Sequence, residues 1–381
     1  MSPVIIIGTG LAGYTLAREW RKLAPEAPLQ IITRDDGAFY SKPLLSNALA
    51  KGKTALTLAG ASAEQMAAQL KAEVWTLTEV SAIDVAARAV IARGETLPYE
   101  RLVLALGAQP IRPPLEGDGA AAVYSINDLA DYALFRRGIE GARRIAVMGP
   151  GLIGCEFAND LVQAGKAVTV IGPAAAPLDR LVPPEAGRAL QQALAEAGVA
   201  WRLGVTPQAV TRRAAALAVE LSDGSVVEAD AVLSAVGLRS NVALAQRAGI
   251  GINQGIVVDR LLASNRAGVY ALGDCAEVEG LVLPFVMPIM QAARALAQTL
   301  AGQPTAVSYP AMPVVVKTPL HPVVVSPPPG AGAGRWEIGG DARGIRALYR
   351  DERDRVIGFA LTGAAVGERQ ALVKDLPAWL E

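Results

Sequence analysis

The stretch IAVMGPGLIGCEFA, residues 145–158, runs from a short apolar block into a glycine turn and then into a helical pattern. A near copy, IIIGTGLAGYTLA, stands at residues 5–17. Each keeps the G-x-G-x-x-G spacing, with Gly8, Gly10 and Gly13 in the first and Gly149, Gly151 and Gly154 in the second. Both sets follow a strand pattern and open a helix, which is the context that gives this spacing its meaning. The first glycine permits a tight turn, the second lets a pyrophosphate approach the backbone, and the third lets helix pack on strand. The helix N-terminus adds partial positive charge. One copy is compatible with a plain turn; two copies in the same context point to two dinucleotide sites.

Outward from these turns the same order of elements appears twice. PVIIIG at 3–8, a helix over 14–23 and PLQIIT at 28–33 form one βαβ unit. RRIAVMG from 143, a helix through Ala164 stopped by Gly165, and AVTVI ending at 171 form the second. An acid about 20 residues beyond the glycines binds ribose in such units. In the first unit Asp35 is the candidate, with Asp36 as a solvated neighbour. In the second, Gly172 holds the equivalent place, neither acid nor arginine, and the missing arginine favours NADH over NADPH. Between the units, residues 90–108 read as strand, turn and strand before the turn-rich QPIRPPLEG, a crossing point between domains. Residues 219–241 give a hairpin around Asp223-Gly224 and a further strand, and 288–302 is helical. From about Tyr309 onward, VVVKT, VVVSPP, RWEIGG, IRALYR and RVIGFALTG predict a small sheet with a last helix near Ala371.

Composition excludes several classes of function. A chain of 381 residues exceeds one ordinary core. Lys plus Arg and Asp plus Glu are both 36, so no basic excess favours nucleic acid. No positive region precedes the first apolar run, so residues 1–17 read as a strand rather than a targeting segment. The later apolar run, 281–301, is broken by Pro284, Pro288, Gln291 and Arg294, against a membrane span. A cytoplasmic protein is expected. Cys155 and Cys275 lie too far apart in sequence for a C-x-x-C pair and read as small buried hydrophobes. His321, the one histidine, has no second imidazole with which to share a metal and is given no catalytic role. No metal site is expected.

Taken together, GTGLAG, YSKPLLS at 40–46, LALGA at 104–108, GPGLIG, SAVGLRSN at 234–241 and YALGDCA at 270–276 resemble the FAD-dependent pyridine nucleotide-disulfide oxidoreductase superfamily. The resemblance covers essentially the whole chain, and within the superfamily the chain looks like the reductases that serve rubredoxin. It implies an α/β fold with two Rossmann-like domains, one for FAD and one for NAD, plus a small C-terminal α+β domain. The FAD domain would be discontinuous, 1–113 and 243–305, with 114–242 as the NAD(P)H domain and 306–381 as the C-terminal domain.

The resemblance carries cofactor-binding roles to Gly8, Thr9, Gly10, Leu11, Ala12, Gly13, Thr33, Asp35, Lys42, Val80, Gly107, Gly149, Gly151, Gly154, Glu156, Gly237, Gly273, Asp274, Val286 and Lys317. Lys42 and Glu156 would form an ion pair beside the reactive flavin nitrogen and act in catalysis, and Lys317 would approach the flavin's pyrimidine edge. Where disulfide reductases place a cysteine pair, this chain has YSKPLLSNALA, and its C-terminal domain lacks their His-Glu pair. Dithiol chemistry is thereby excluded, leaving FAD and NADH alone. The implied electron acceptor is rubredoxin, met in a transient, salt-sensitive encounter with Lys42, Lys51 and Lys53 as basic contacts and a monomeric reductase. Such reductases feed alkane hydroxylation or oxygen detoxification. Two alternatives accompany this reading: an NADH oxidase or a ferredoxin or flavorubredoxin reductase of the same superfamily, and a non-enzymatic redox sensor that holds FAD and NADH.

Overall fold

The computed structural model describes residues 2–214, 216–330, 333–341 and 343–381. Strands Val4–Ile7 and Leu29–Ile32 are buried at every position, as expected for parallel strands covered on both faces. They belong to a five-stranded parallel sheet in the order Val269–Ala271, Arg101–Leu104, Val4–Ile7, Leu29–Ile32, Glu73–Trp75. A second parallel sheet has four strands, ordered Val199–Leu203, Ala167–Gly172, Arg144–Met148, Ala231–Ser234. Each sheet is accompanied by a three-stranded antiparallel meander. The first comprises Val80–Asp84, Ala89–Ala92 and Glu95–Pro98, the second Pro207–Arg213, Ala216–Leu221 and Val226–Ala229. The duplicated glycine turns therefore sit in duplicated surroundings.

The strand Val269–Ala271 joins the first sheet although the whole second unit intervenes in sequence. The chain leaves the first unit through Ala108–Pro110 and returns through Leu238–Ser240, and these two short strands pair antiparallel, Ala108 opposite Ser240. Helix Leu11–Leu23 starts three residues before the expected position because Gly10 is its N-cap. Its Ala12, Leu16 and Trp20, spaced at helical period, face the first core. YSKPLLS winds into a 3₁₀ helix, Lys42–Asn47, with Pro43 in its first turn where a missing N–H costs nothing.

All five predicted C-terminal strands form, in one antiparallel sheet ordered Val314–Val316, Val323–Ser326, Val356–Thr362, Gly344–Asp351, Gly334–Asp341. The last helix is Arg369–Val373. Alternation along Val323–Ser326 sends Val323 and Val325 into a core shared with Val147, Val170 and Leu190 of the second unit. Val324 faces the other way, under Val366 and Leu372. Each fully buried valine contributes about 1.5–3 kcal/mol relative to exposure, so this seam fixes the C-terminal sheet against the second unit. Among the described residues no helix is long and apolar enough to cross a membrane, and no cluster of three metal-ligating side chains occurs.

Candidate functional site

The two glycine turns have matching geometry. Gly8 and Gly149 have φ of +113° and +105°, and a side chain on either would fall onto the carbonyl of Ala105 or Ala235. Side chains at Gly13 or Gly154 would strike the carbonyls of Gly8 or Gly149, so these glycines let helix approach strand. Gly10 and Gly151 differ: beyond their chain neighbours, no atom of the described residues lies within 4 Å of where their side chains would stand. Both are N-caps without a side-chain cap, which leaves the first N–H groups of helices Leu11–Leu23 and Leu152–Gln163 unpaired and the space before them open. Two diphosphates fit those two places.

At the first turn Asp35 is held as a ribose acceptor would be. Thr33 Oγ1 donates to Asp35 Oδ1 at 2.6 Å and the Gly37 N–H at 3.0 Å, while Thr9 Oγ1 lies 2.9 Å from Thr33 Oγ1 and 3.0 Å from Asp35 Oδ1. Asp35 Oδ2 has no protein partner among the described residues and is left for a ligand hydroxyl.

A side chain on Gly273, at φ +80°, would stand 2.7 Å from Ala12 Cβ, so glycine permits the close approach that brings Asp274 to the first turn of helix Leu11–Leu23. Ser240 Oγ donates to the Asp274 carbonyl at 2.7 Å, tying the returning crossing strand to the same place. Burial pushes the Asp274 carboxyl above its ordinary range while nearby Lys42 pulls it back. Burial lowers Lys42, and Asp274, Asp128 and Asp131 oppose that shift. Lys42 Nζ donates to Asn127 Oδ1 at 2.7 Å, and Asn127 Nδ2 donates to the Ala108 carbonyl at 3.0 Å. Gly107, beside Ala108, also has open space where a side chain would be. The first glycine turn, Asp35, Lys42 and Asp274 thus converge, with Val286 exposed at the start of helix Val286–Leu300.

The expected ion pair between Lys42 and Glu156 does not form. Glu156 is fully buried and pairs with Lys317: its Oε2 accepts from the Lys317 ammonium and its Oε1 from the Lys317 N–H at 2.8 Å. Ser46 Oγ donates to Glu156 Oε2 at 2.5 Å, and Asn47 Nδ2 donates to the Lys317 carbonyl at 3.1 Å. The cause is the 3₁₀ winding of Lys42–Asn47, whose three residues per turn stack Lys42 over Leu45 and leave Ser46 on another face, toward Glu156. Lys317 is therefore committed to Glu156. The same helix face carries Asp160, whose two oxygens accept the N–H groups of Leu49 at 2.8 Å and Ala50 at 3.1 Å, and Asn159, which accepts from the Leu320 N–H at 3.2 Å. Glu156, Asn159 and Asp160 fall at i, i+3 and i+4 of a helix whose other residues, apart from the terminal Gln163, are apolar or glycine. That buried polar stripe was the available sequence signal for a clamp between three parts of the chain.

Elsewhere Gly237 has φ +127° at the end of the second unit, and Val80 lies in the first core. Lys51 and Lys53 are exposed beyond the 3₁₀ helix, where the Lys53 carbonyl accepts from Tyr132 Oη at 3.0 Å and Arg136 at 2.7 Å. Both cysteines are buried, and burial pushes the Cys275 thiol up to about 12 and Cys155 upward as well, which leaves both as inert packing. His321 is buried with no partner for Nε2 among the described residues, and burial lowers its pKa.

Residues 2–299 match the family described as pyridine nucleotide-disulphide oxidoreductase, and residues 306–376 match the family described as rubredoxin binding C-terminal domain. The chain is 47% identical over 379 residues to a rubredoxin-NAD(+) reductase of Alcanivorax borkumensis, covering 99% of each. It is 45% identical to a rubredoxin-NAD(+) reductase of Acinetobacter baylyi, over 99% of this chain and 98% of that one. A ferredoxin reductase from Rhodopseudomonas palustris superposes with a TM-score of 0.89 at 25% identity, over 99% of this chain and 96% of that one. Two glycine turns on two parallel sheets, both lying within the matched span, are the structural content of that agreement. The chain belongs to the pyridine nucleotide-disulphide oxidoreductase family.

Proposed function

We propose that this protein is an FAD-dependent reductase that takes electrons from NADH and delivers them to rubredoxin. The observation that carries this reading is the joint match of residues 2–299 and 306–376, which sets a region resembling rubredoxin-binding domains on a two-dinucleotide frame. FAD, when bound, accepts reducing equivalents in pairs and releases them singly, the conversion a one-electron carrier requires. In this chain Gly8, Gly10 and Gly13 would seat its diphosphate, Asp35 its adenosine ribose, and Asp274 with Lys42 the region beside helix Leu11–Leu23. Gly149, Gly151 and Gly154 would seat the diphosphate of NADH. Glu156, Ser46 and Lys317 hold the 3₁₀ segment, the second unit and the C-terminal sheet in one arrangement, so the two nucleotide places keep their relation.

Residues 1–113 with 243–305, 114–242 and 306–381 serve as FAD, NAD(P)H and C-terminal domains in this reading. Docking of rubredoxin is transient and salt-sensitive, involves Lys51 and Lys53, and needs only a monomer; the reaction takes place in the cytoplasm. The test is anaerobic stopped-flow reduction by NADH followed by mixing with oxidised rubredoxin. The iron centre is expected to bleach faster than that of a ferredoxin. Equal or slower bleaching overturns the acceptor, and rapid NADH consumption with oxygen alone favours an oxidase instead.

A further inference from the structure

Lys42 is half-buried at the start of its 3₁₀ helix and forms no ion pair among the described residues, since Glu156 is taken by Lys317. Its ammonium donates instead to an amide, Asn127 Oδ1, at 2.7 Å. Asn127 is itself fixed from two further directions. Its Nδ2 donates to the Ala108 carbonyl at 3.0 Å and its backbone N–H to Asp131 Oδ2 at 2.9 Å. The Asp131 N–H in turn donates at 2.8 Å to Asp128 Oδ1, the N-cap of helix Leu129–Gly138, so Asn127 stands immediately before a capped helix start.

These partners dictate the chemistry of position 127. An ammonium only donates and a carbonyl only accepts, so the group between Lys42 and Ala108 must accept on one side and donate on the other. An asparagine amide does both at this reach. Aspartate would set a second acceptor against the Ala108 carbonyl, and leucine, of similar size, would offer neither bond. The amide is also neutral. Asp274, Asp128 and Asp131 act on Lys42 without pairing with it, so the group that holds the ammonium does not cancel its charge.

Resting on the reading of the first glycine turn as the FAD place, we propose that Asn127 is a positioning residue for electron transfer: it holds the Lys42 ammonium toward that place without neutralising it. A hydride, two electrons and one proton, leaves NADH as NAD+ and adds one negative charge to the flavin ring. A fixed cation near the cofactor favours that product, and one already in place needs no rearrangement as the charge arrives. Lysine alone does not supply such fixity, because its ammonium rides on a flexible four-carbon stem. Asn127 supplies it from the Ala108 carbonyl and the start of helix Leu129–Gly138, so a residue outside both glycine turns sets the electron affinity of the flavin.

The test is the midpoint potential of the bound FAD, measured by anaerobic redox titration against a reference dye. Asn127→Leu should lower the equilibrium constant for reduction by about tenfold or more, about 30 mV in a two-electron couple, because Lys42 is no longer held. Asn127→Asp should lower it by a similar factor, because the carboxylate neutralises Lys42 in place. In a Lys42→Met background Asn127→Leu should change that constant by less than about twofold, since Asn127 acts through Lys42. A potential unmoved or raised in either single variant overturns the inference, and so does an equal fall from Asn127→Leu with and without Lys42. Should Asn127→Leu fail to fold, Asn127→Asp, which keeps the size of the side chain, decides by the same criterion. The flavin-to-protein absorbance ratio reports separately on the first turn: a parent that holds no FAD overturns that reading and the inference together, whereas FAD bound at an unmoved potential overturns the inference alone.

Discussion

Glu156 and Lys317 are 161 residues apart in sequence, yet the carboxylate of Glu156 accepts from both the ammonium and the backbone N–H of Lys317. Glu156 is wholly buried whereas the Lys317 side chain retains 28% exposure, so the carboxylate depends on the pair more than the ammonium does. Removing one member of a buried pair leaves the other uncompensated. Lys317→Met should therefore destabilise the protein by about 2–4 kcal/mol, more than the double change Lys317→Met, Glu156→Gln. Chemical denaturation of the single and double variants measures this, and a double variant no better than Lys317→Met would show the pair to be idle.

Lys42 and Glu156 do not touch, which gives a second expectation. A double-mutant cycle on the stability of Lys42→Met and Glu156→Gln should give a coupling below about 0.5 kcal/mol, while Lys42→Met with Asn127→Ala should couple by about 1 kcal/mol or more. Reversed values would restore the Lys42–Glu156 pair.

The open glycines separate folding from binding. Gly10→Ala and Gly151→Ala meet no atom of the described residues beyond their chain neighbours and need no unusual backbone angle, so denaturation midpoints measured without cofactor should move little, within about 1 kcal/mol. The added methyl instead occupies the room left for a diphosphate. Gly10→Ala should purify with less FAD, read from the flavin-to-protein absorbance ratio. Gly151→Ala should keep FAD and raise KM for NADH by about tenfold or more. Identical losses in both variants would mean that the two turns do not serve separate nucleotides.

His321 sets a pH dependence. Its folded pKa lies below the unfolded value of 6.5 because burial disfavours the cation. The unfolded chain then binds the extra proton first, so this residue's contribution falls as pH drops through about 6.5 and levels off only below the folded pKa. Thermal unfolding of the parent and His321→Leu between pH 7.5 and pH 5 should show the parent losing more stability over that interval. Parallel curves would mean that the imidazole finds a partner on protonation.

Local constraints made much of the fold legible. The glycine spacing is set within six residues by turn geometry and close helix approach, and it located both cradles. Asp35 was read from the strand end beside the first turn, Asp274 came only with the resemblance of YALGDCA, and burial of Cys155 and Cys275 agrees with reading them as packing. The partner of Glu156 was not legible, because a pairing across 161 residues depends on which face of the 3₁₀ helix Lys42–Asn47 turns inward. Ser46, Asn127 and Asp160 escaped notice for the same reason: each is an ordinary polar residue until the tertiary fold supplies its partner. Gly172 was visible as a departure from the expected acid, but the contact a side chain there would make with the ring of Pro150 was not.

Where Ala108–Pro110 pairs with Leu238–Ser240, the chain enters and leaves the second unit at neighbouring strands. Hydrogen-bonded strands lie only about 5 Å apart, so a two-residue turn suffices to reconnect them. The second unit is in this sense a cassette, plugged into a finished first fold at one point. Its exchange for a related unit would leave the first sheet's strand pairing intact, including that of Val269–Ala271, provided the newcomer also presents the stripe of Glu156, Asn159 and Asp160. Under the proposed function, exchange of the second unit would alter the electron donor and changes in the C-terminal sheet the acceptor, with the Glu156–Lys317 clamp joining the two.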